Sequence, residues 1–140
     1  MKIDLAKNEL IHFVGVGGIG MSGLALIMSG LGYKVQGSDI ADNKNIERLN
    51  EKKIKVFLNH KKENIKKTTV LVISSAIKKT NPEVVEAKKK NLPIYTRGDM
   101  LGHIVSFMRN IVVTGSHGKT TTTSLVSNIF TSSNLDPTII

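Results

Sequence analysis

The chain has no cysteine. That excludes a disulfide framework, a thiolate zinc site and a cysteine nucleophile. No apolar run approaches the roughly 20 residues needed to cross a bilayer. The opening stretch Met1-Lys2-Ile3-Asp4-Leu5-Ala6-Lys7-Asn8-Glu9 is charged where a signal peptide would have an apolar centre. The expectation is a soluble, cytoplasmic protein with no membrane partner. Aromatic residues are scarce, at 4%, which leaves little for base stacking. Arginine is scarce as well, with only Arg48, Arg97 and Arg109 beside 17 lysines. A net charge of +9 would otherwise suggest nucleic acid. Readers of bases and phosphates, however, lean on the planar guanidinium fork. The lysine clusters Lys52-Lys53, Lys61-Lys62, Lys66-Lys67 and Lys88-Lys89-Lys90 read as solvated helix faces or loops. No nucleic-acid partner is expected, though the positive field would attract anionic substrates.

Hydrophobic residues make up 40% of 140 positions, enough for one domain, or one domain and the start of another. Strand and helix patterns alternate along it. Leu10 to Val14 is a short apolar run and reads as a parallel strand buried on both faces. Met21, Leu24, Ala25, Met28 and Leu31 then recur on one helix face, which Gly32 ends. Tyr33–Gly37 reads as the second strand, Asn43 caps a helix through Leu49, and Ile54–Leu58 is the third strand. Thr69–Ile73 is the clearest strand. Asn81 and Pro82 open a helix to about Lys90 as cap and first helical residue. Pro93–Tyr95, a helix from Arg97 to Phe107, a strand Ile111–Val113 and a helix from Gly118 to about Ser133 follow. This order predicts an α/β fold, a Rossmann-like parallel sheet with helices on both faces. The expected boundary lies near Met108-Arg109-Asn110. Residues 1–108 form a nearly complete domain, and 109–140 begin a second with one strand, a phosphate loop and a helix.

Two glycine-rich loops carry the chemistry. Gly15, Gly17 and Gly20 fit G-x-G-x-x-G between the first strand and its helix. In that pattern the first glycine allows the tight turn. The second lets a diphosphate approach the backbone, and the third lets the helix pack close to the strand. The backbone amides and helix dipole over Gly18 to Met21 would bind phosphate. Asp39 closes the second strand 19 residues beyond Gly20. It is placed either to accept from a ribose or simply to cap a turn. His12, inside an apolar strand, reads as a satisfied core histidine, and His60 and His103 have no metal-ligand partners at useful spacing.

The second loop, Gly115-Ser116-His117-Gly118-Lys119-Thr120-Thr121, ends in G-K-T. It has two residues between its glycines where the usual loop has four. The chemistry of an ATP site survives that shortening. Backbone amides wrap phosphate oxygens, Lys119 neutralises the outer phosphates, and the Thr120 hydroxyl can ligate Mg²⁺. His117 either touches a ligand or only shapes the loop. Two phosphate loops in one chain point to a nucleotide-dependent transfer between two substrates.

Four segments give a more specific likeness: Gly15-Val16-Gly17-Gly18-Ile19-Gly20-Met21-Ser22-Gly23, Gly37-Ser38-Asp39, Ser74-Ser75-Ala76-Ile77 with Asn81-Pro82-Glu83, and Gly115 through Thr123. On these the chain resembles the Mur ligase family along its whole length. It departs mildly at Ser116, where the family usually has Thr, and at Asp99, where it usually has Glu. The resemblance implies an N-terminal domain that binds UDP-N-acetylmuramate and a central domain that binds ATP and Mg²⁺. It implies an ATP-dependent ligation of L-alanine through an acyl phosphate, for peptidoglycan precursor synthesis. It would place Gly15, Gly17, Gly18, Ile19, Gly20, Met21 and Ser22 on the diphosphate. Asp39, Ser74, Ser75 and Ala76 would lie near the uridine. ATP would sit on Gly115 to Thr121, with Lys119 stabilising the migrating phosphoryl group and Thr120 on the metal. The chain would be a fragment that binds the UDP-sugar and does not catalyse alone. The alternatives are a nicotinamide-dependent oxidoreductase, a non-catalytic nucleotide- or nucleic-acid-binding module, or a family member that recycles a whole peptide.

Overall fold

The structure, a computed structural model, describes residues 3–139. Met1, Lys2 and Ile140, the outer ends of the two expected domains, lie outside the described residues. The chain divides into two compact units, Met1–Phe107 and Met108–Ile140.

In the first unit five strands form one parallel sheet: β1 (Leu10–Val14), β2 (Lys34–Ser38), β3 (Lys55–Phe57), β4 (Val70–Ile73) and β5 (Ile94–Thr96). Their spatial order is β3-β2-β1-β4-β5. β1 pairs with β2 from Leu10 opposite Lys34 to Val14 opposite Ser38, and with β4 from Ile11 opposite Val70. The chain winds from β1 outward to β3, then returns to the other side of β1 for β4. That reversal opens a crevice at the carboxyl end of β1, where open α/β sheets place their ligands.

Alternation along the strands assigns the helices to faces. Ile11, Phe13, Val70 and Val72 join one core with Met21, Leu24, Ala25 and Met28 of α1 (Ile19–Gly30). Leu49 of α2 (Lys44–Glu51), with Met100 and Ile104 of α4 (Arg97–Ser106), completes it. Val14 and Leu71 point the other way, onto Val84 and Ala87 of α3 (Pro82–Lys89) and onto Ile65 of a 3-10 turn over Lys62–Ile65. Ile11, Phe13 and Val14 are wholly buried, each worth about 1.5–3 kcal/mol of apolar burial. Helix ends follow the capping residues. Asn43 accepts from Asn45 and Ile46 amides, Asn81 caps α3 ahead of Pro82, and Thr96 and Asp99 form a reciprocal capping box on α4.

In the second unit α5 (Lys119–Ser132) forms as expected and buries none of its residues. The expected strand Ile111–Val113 does not form; that stretch is irregular. A strand's amides and carbonyls need a neighbouring strand to bond, and no strand of the described residues pairs with it.

Candidate functional site

The first glycine loop leaves the carboxyl end of β1 and is held from both sides. Gly15 and Val16 donate their amides to the Ser38 carbonyl at 2.8 and 3.0 Å. The Gly17 amide donates to Asp39 Oδ2 at 2.8 Å, and its carbonyl accepts from Asn43 and Asn45 side-chain amides at 3.2 and 2.7 Å. On the β4 side, Ser74 donates its amide to Val14 O at 3.1 Å, extending the sheet pairing beside the loop. A Cβ at Gly15 would stand 3.1 Å from Ser74 Cβ.

Side chains from other elements press on two of the three glycines. A Cβ at Gly17 would meet Asn43 Nδ2 and Asp39 Oδ2, both at 2.9 Å. The space is filled by protein side chains that clamp the loop, so the missing side chain at Gly17 makes room for that clamp. A Cβ at Gly20 would stand 2.6 Å from Nη1 of Arg97. What presses on the third glycine is therefore a guanidinium from the start of α4, not the strand beneath.

The open donors are those of the first turn of α1. Its N-cap, Gly18, offers no side chain, and the turn contains no acid. Gly18 makes a long bond to Gly15 O at 3.4 Å, and Ser22 donates its amide to Gly18 O. The amides of Ile19, Gly20 and Met21 have no acceptor among the described residues. Ile19 is 85% exposed, while the Met21 side chain is core. The Ser22 hydroxyl is buried and donates to Ile19 O at 3.0 Å, so both hydrogens of Ser22 are engaged within the protein. Arg97, in contrast, has a free charge. The ion pairs among the described residues join His12 and His60 to Glu83 and Lys90 to Glu86. Asp99 beside it is bonded to Thr96, whose hydroxyl and amide hold its carboxyl below the ordinary carboxylate value. A cation at the positive end of a helix is unfavourable unless an anion joins them. Nothing in the local pattern around Arg97 marks this role; its position after β5 and the sheet order put it beside Gly20.

Asp39 does cap a turn. Its Oδ1 accepts from the Ile40 and Ala41 amides at 2.8 and 3.1 Å while Oδ2 holds Gly17. A carboxylate has about four acceptor positions, so one remains beside the three used. Ser75 and Ala76 are exposed past the end of β4, and the Ala76 amide reaches Ser74 Oγ at 3.4 Å.

Beneath the crevice, on the α3 face, lies a polar cluster that the sequence reading missed. Glu83 is wholly buried. Its Oε2 accepts from Ser38 Oγ at 2.6 Å and lies 3.0 Å from His60 Nδ1. Its Oε1 accepts from Asn64 Nδ2 at 2.7 Å and lies 3.4 Å from His12 Nε2. Gln36 donates to His12 Nδ1 at 3.0 Å, which assigns the His12 proton to Nε2. Burial pushes the Glu83 carboxyl up, but His12, Ser38 and Asn64 together bring it below its ordinary value. His12 is thus the satisfied core histidine its strand position implied, and His60 is its partner across Glu83. The available signal was the acid directly after Asn81-Pro82, which reads as an exposed first-turn residue.

The second loop is described within its own unit. Gly115, Ser116, His117, Gly118, Lys119, Thr120 and Thr121 are all exposed. Gly118 caps α5 with φ 74°, and Lys119 Nζ donates to Gly115 O at 2.6 Å. The lysine thus folds over the loop it belongs to. Thr120 presents an exposed hydroxyl in the first turn of α5. That is one oxygen ligand, consistent with Mg²⁺ held mainly by phosphates and water. No group of three His, Asp or Glu among the described residues could hold a metal ion by itself.

Comparison with known proteins follows the same lines. The Mur ligase family, catalytic domain, matches residues 10–109. A UDP-N-acetylmuramate–L-alanine ligase of Pelagibacter ubique is 68% identical over 140 residues, all of this chain and 30% of that protein. One from Brucella ovis is 53% identical over the same span. Among solved structures, the UDP-N-acetylmuramate-alanine ligase MurC of Thermotoga maritima matches with TM-score 0.82 at 33% identity, over 89% of this chain and 29% of that one. A UDP-N-acetylmuramate:L-alanyl-gamma-D-glutamyl-meso-diaminopimelate ligase from Neisseria meningitides matches with TM-score 0.79 at 29% identity, over 90% and 40%. The chain spans about 30% of the length of the curated relatives it matches. With its parallel sheet, its two glycine loops and a family match over residues 10–109, the chain belongs to the Mur ligase family.

Proposed function

We propose that this chain is the UDP-N-acetylmuramate-binding domain and the beginning of the ATP-binding domain of a UDP-N-acetylmuramate–L-alanine ligase. One observation carries the ligand reading: the amides of Ile19, Gly20 and Met21 have no acceptor among the described residues, and the Arg97 guanidinium, with no ion-pair partner among them, stands beside Gly20. Three aligned donors and a cation together fit a diphosphate. The remaining acceptor position of Asp39 faces a ribose hydroxyl, and Ser74, Ser75 and Ala76 border the nucleoside. The identity to ligases so named supports this choice over a nicotinamide cofactor.

In the whole enzyme the muramoyl carboxylate attacks the terminal phosphorus of ATP, and ADP departs. The neutral amine of L-alanine then attacks the acyl phosphate carbon, phosphate leaves, the nitrogen gives up a proton to solvent, and an amide remains. Lys119 moves from Gly115 O onto the transferring phosphoryl group and offsets its charge. Mg²⁺, held in part by Thr120, would neutralise the phosphates when bound. The residues of the first loop hold the UDP end of the substrate in place.

Calorimetric titration of the chain with UDP-N-acetylmuramate and with NADH tests the ligand. Saturable binding of the UDP-sugar, with none of NADH, is expected. Tight NADH binding without UDP-sugar affinity would overturn the proposal.

A further inference from the structure

The Glu83 cluster sits directly under the first glycine loop and is wired to it through one residue. Ser38 is wholly buried. Its hydroxyl donates to Glu83 Oε2, while its carbonyl receives both the Gly15 and Val16 amides. The next residue, Asp39, holds Gly17 and donates its own amide to Phe57 O at 2.9 Å. His60, which follows β3 closely, is bonded to the same Glu83 oxygen as Ser38. One carboxylate on α3 therefore ties together the middle of β1, the end of β2, the segment after β3 and the 3-10 turn, through His12, Ser38, His60 and Asn64.

A buried carboxylate is a poor choice for stability alone, since a well-packed apolar residue often serves as well. Its value here is directional. All four neighbours donate, so the oxygens fix where each of them stands. We infer that Glu83 is a positioning residue for the first glycine loop, acting through Ser38 to set where the open amides of Ile19, Gly20 and Met21 stand. The inference rests on the proposed UDP-sugar reading only for its functional consequence, because the coupling itself can be read without ligand. The charged and titratable groups facing Glu83 are His12 from β1 and His60 from the segment after β3; Ser38 and Asn64 are neutral.

Glu83→Gln places a donor among donors and breaks the pattern at one oxygen. Ser38→Ala removes the link to β2, together with the hydroxyl's contacts to His12 Nε2 and His60 Nδ1, and leaves Asn64 and both histidines on Glu83. Val84→Ala is the control: Val84 is buried on the same helix and lies outside the cluster. Amide chemical shifts of Gly15 through Met21 are read in the unliganded chain, together with UDP-N-acetylmuramate affinity. Both cluster variants are expected to move the loop amides and to weaken binding about tenfold, the scale of one hydrogen bond. Val84→Ala should lower the thermal midpoint while leaving the loop amides and affinity in place. Should Glu83→Gln fail to fold, Ser38→Ala decides alone. Unmoved loop amides in a folded Ser38→Ala chain would overturn the inference, as would amide and affinity changes of equal size in Val84→Ala. A wild-type chain that binds no UDP-sugar overturns the proposed ligand and leaves the shift comparison to decide the coupling.

Discussion

The two glycine loops look alike in sequence and are built in opposite ways. The first is clamped by residues from β2, the segment after it and α2, and its cation comes from α4. The second bonds chiefly within itself: its lysine reaches back to Gly115 O in the same loop. The first unit encloses a sheet with two cores, whereas α5 of the second buries no residue. A phosphate-loop pattern is thus a local specification. Whether it becomes a rigid cradle depends on how much of the surrounding fold is packed against it.

The sharpest way to break this contrast is to truncate one large apolar side chain in each unit. Phe13→Ala, at a wholly buried position, is expected to destabilise the first unit by about 3–5 kcal/mol. Ile129→Ala on α5, where the side chain is 65% exposed, should change stability by less than about 0.5 kcal/mol. Urea unfolding of both variants checks the pair, and comparable losses would show that α5 is packed as tightly as β1. A smaller effect distinguishes the cations. Arg97→Ala should weaken UDP-N-acetylmuramate binding about ten- to hundredfold, as expected for a hydrogen bond to a charged ligand. Arg48→Ala, an exposed guanidinium at the far end of α2, should leave that affinity alone. Equal losses in both would reduce the role of Arg97 to the general positive field.

The mildest effect concerns pH and again belongs to the packed unit. His103 is buried on α4 with Nε2 unpartnered among the described residues, its ring edge-on to Phe107 at 4.5 Å. Burial lowers its pKa from the ordinary 6.5, and Asp4 opposes this only partly. The unfolded chain therefore takes up the proton first, and stability is lost as pH falls below 6.5 toward the depressed folded value. Glu83, lowered from 4.5, adds a second loss at lower pH by the same sign. His103→Leu should flatten the upper part of a stability–pH profile and leave the lower part. A profile unchanged in both parts would refute the assignment.

Most elements were legible because local patterns and tertiary packing agree. The run Leu10 to Val14 is apolar but for His12 because both its faces are covered, and Asn43, Asn81 and Thr96 announce their helices by capping chemistry. Ile111–Val113 does not form the expected strand for the converse reason: apolar composition permits a strand, but only a neighbour makes one. At the site, Gly15, Gly17, Gly20 and Asp39 were visible as a spacing. The partners that press on Gly17 and Gly20 were not, because Asn43 and Arg97 belong to other elements. Glu83 was hidden by its position after a helix cap, where exposed acids are common.

By itself the sequence determined the alternation of strands and helices, both glycine loops, and the family, since each rests on residues close together along the chain. Lys119 belongs to that class, lying inside its own motif. The tertiary structure alone decided that Asp39 bonds Gly17, that Arg97 stands over Gly20, and that Glu83 ties His12, Ser38, His60 and Asn64 together. Those contacts arise from the order in which the strands assemble, which sets residues far apart in the chain at one sheet end and brings their charges within hydrogen-bonding distance.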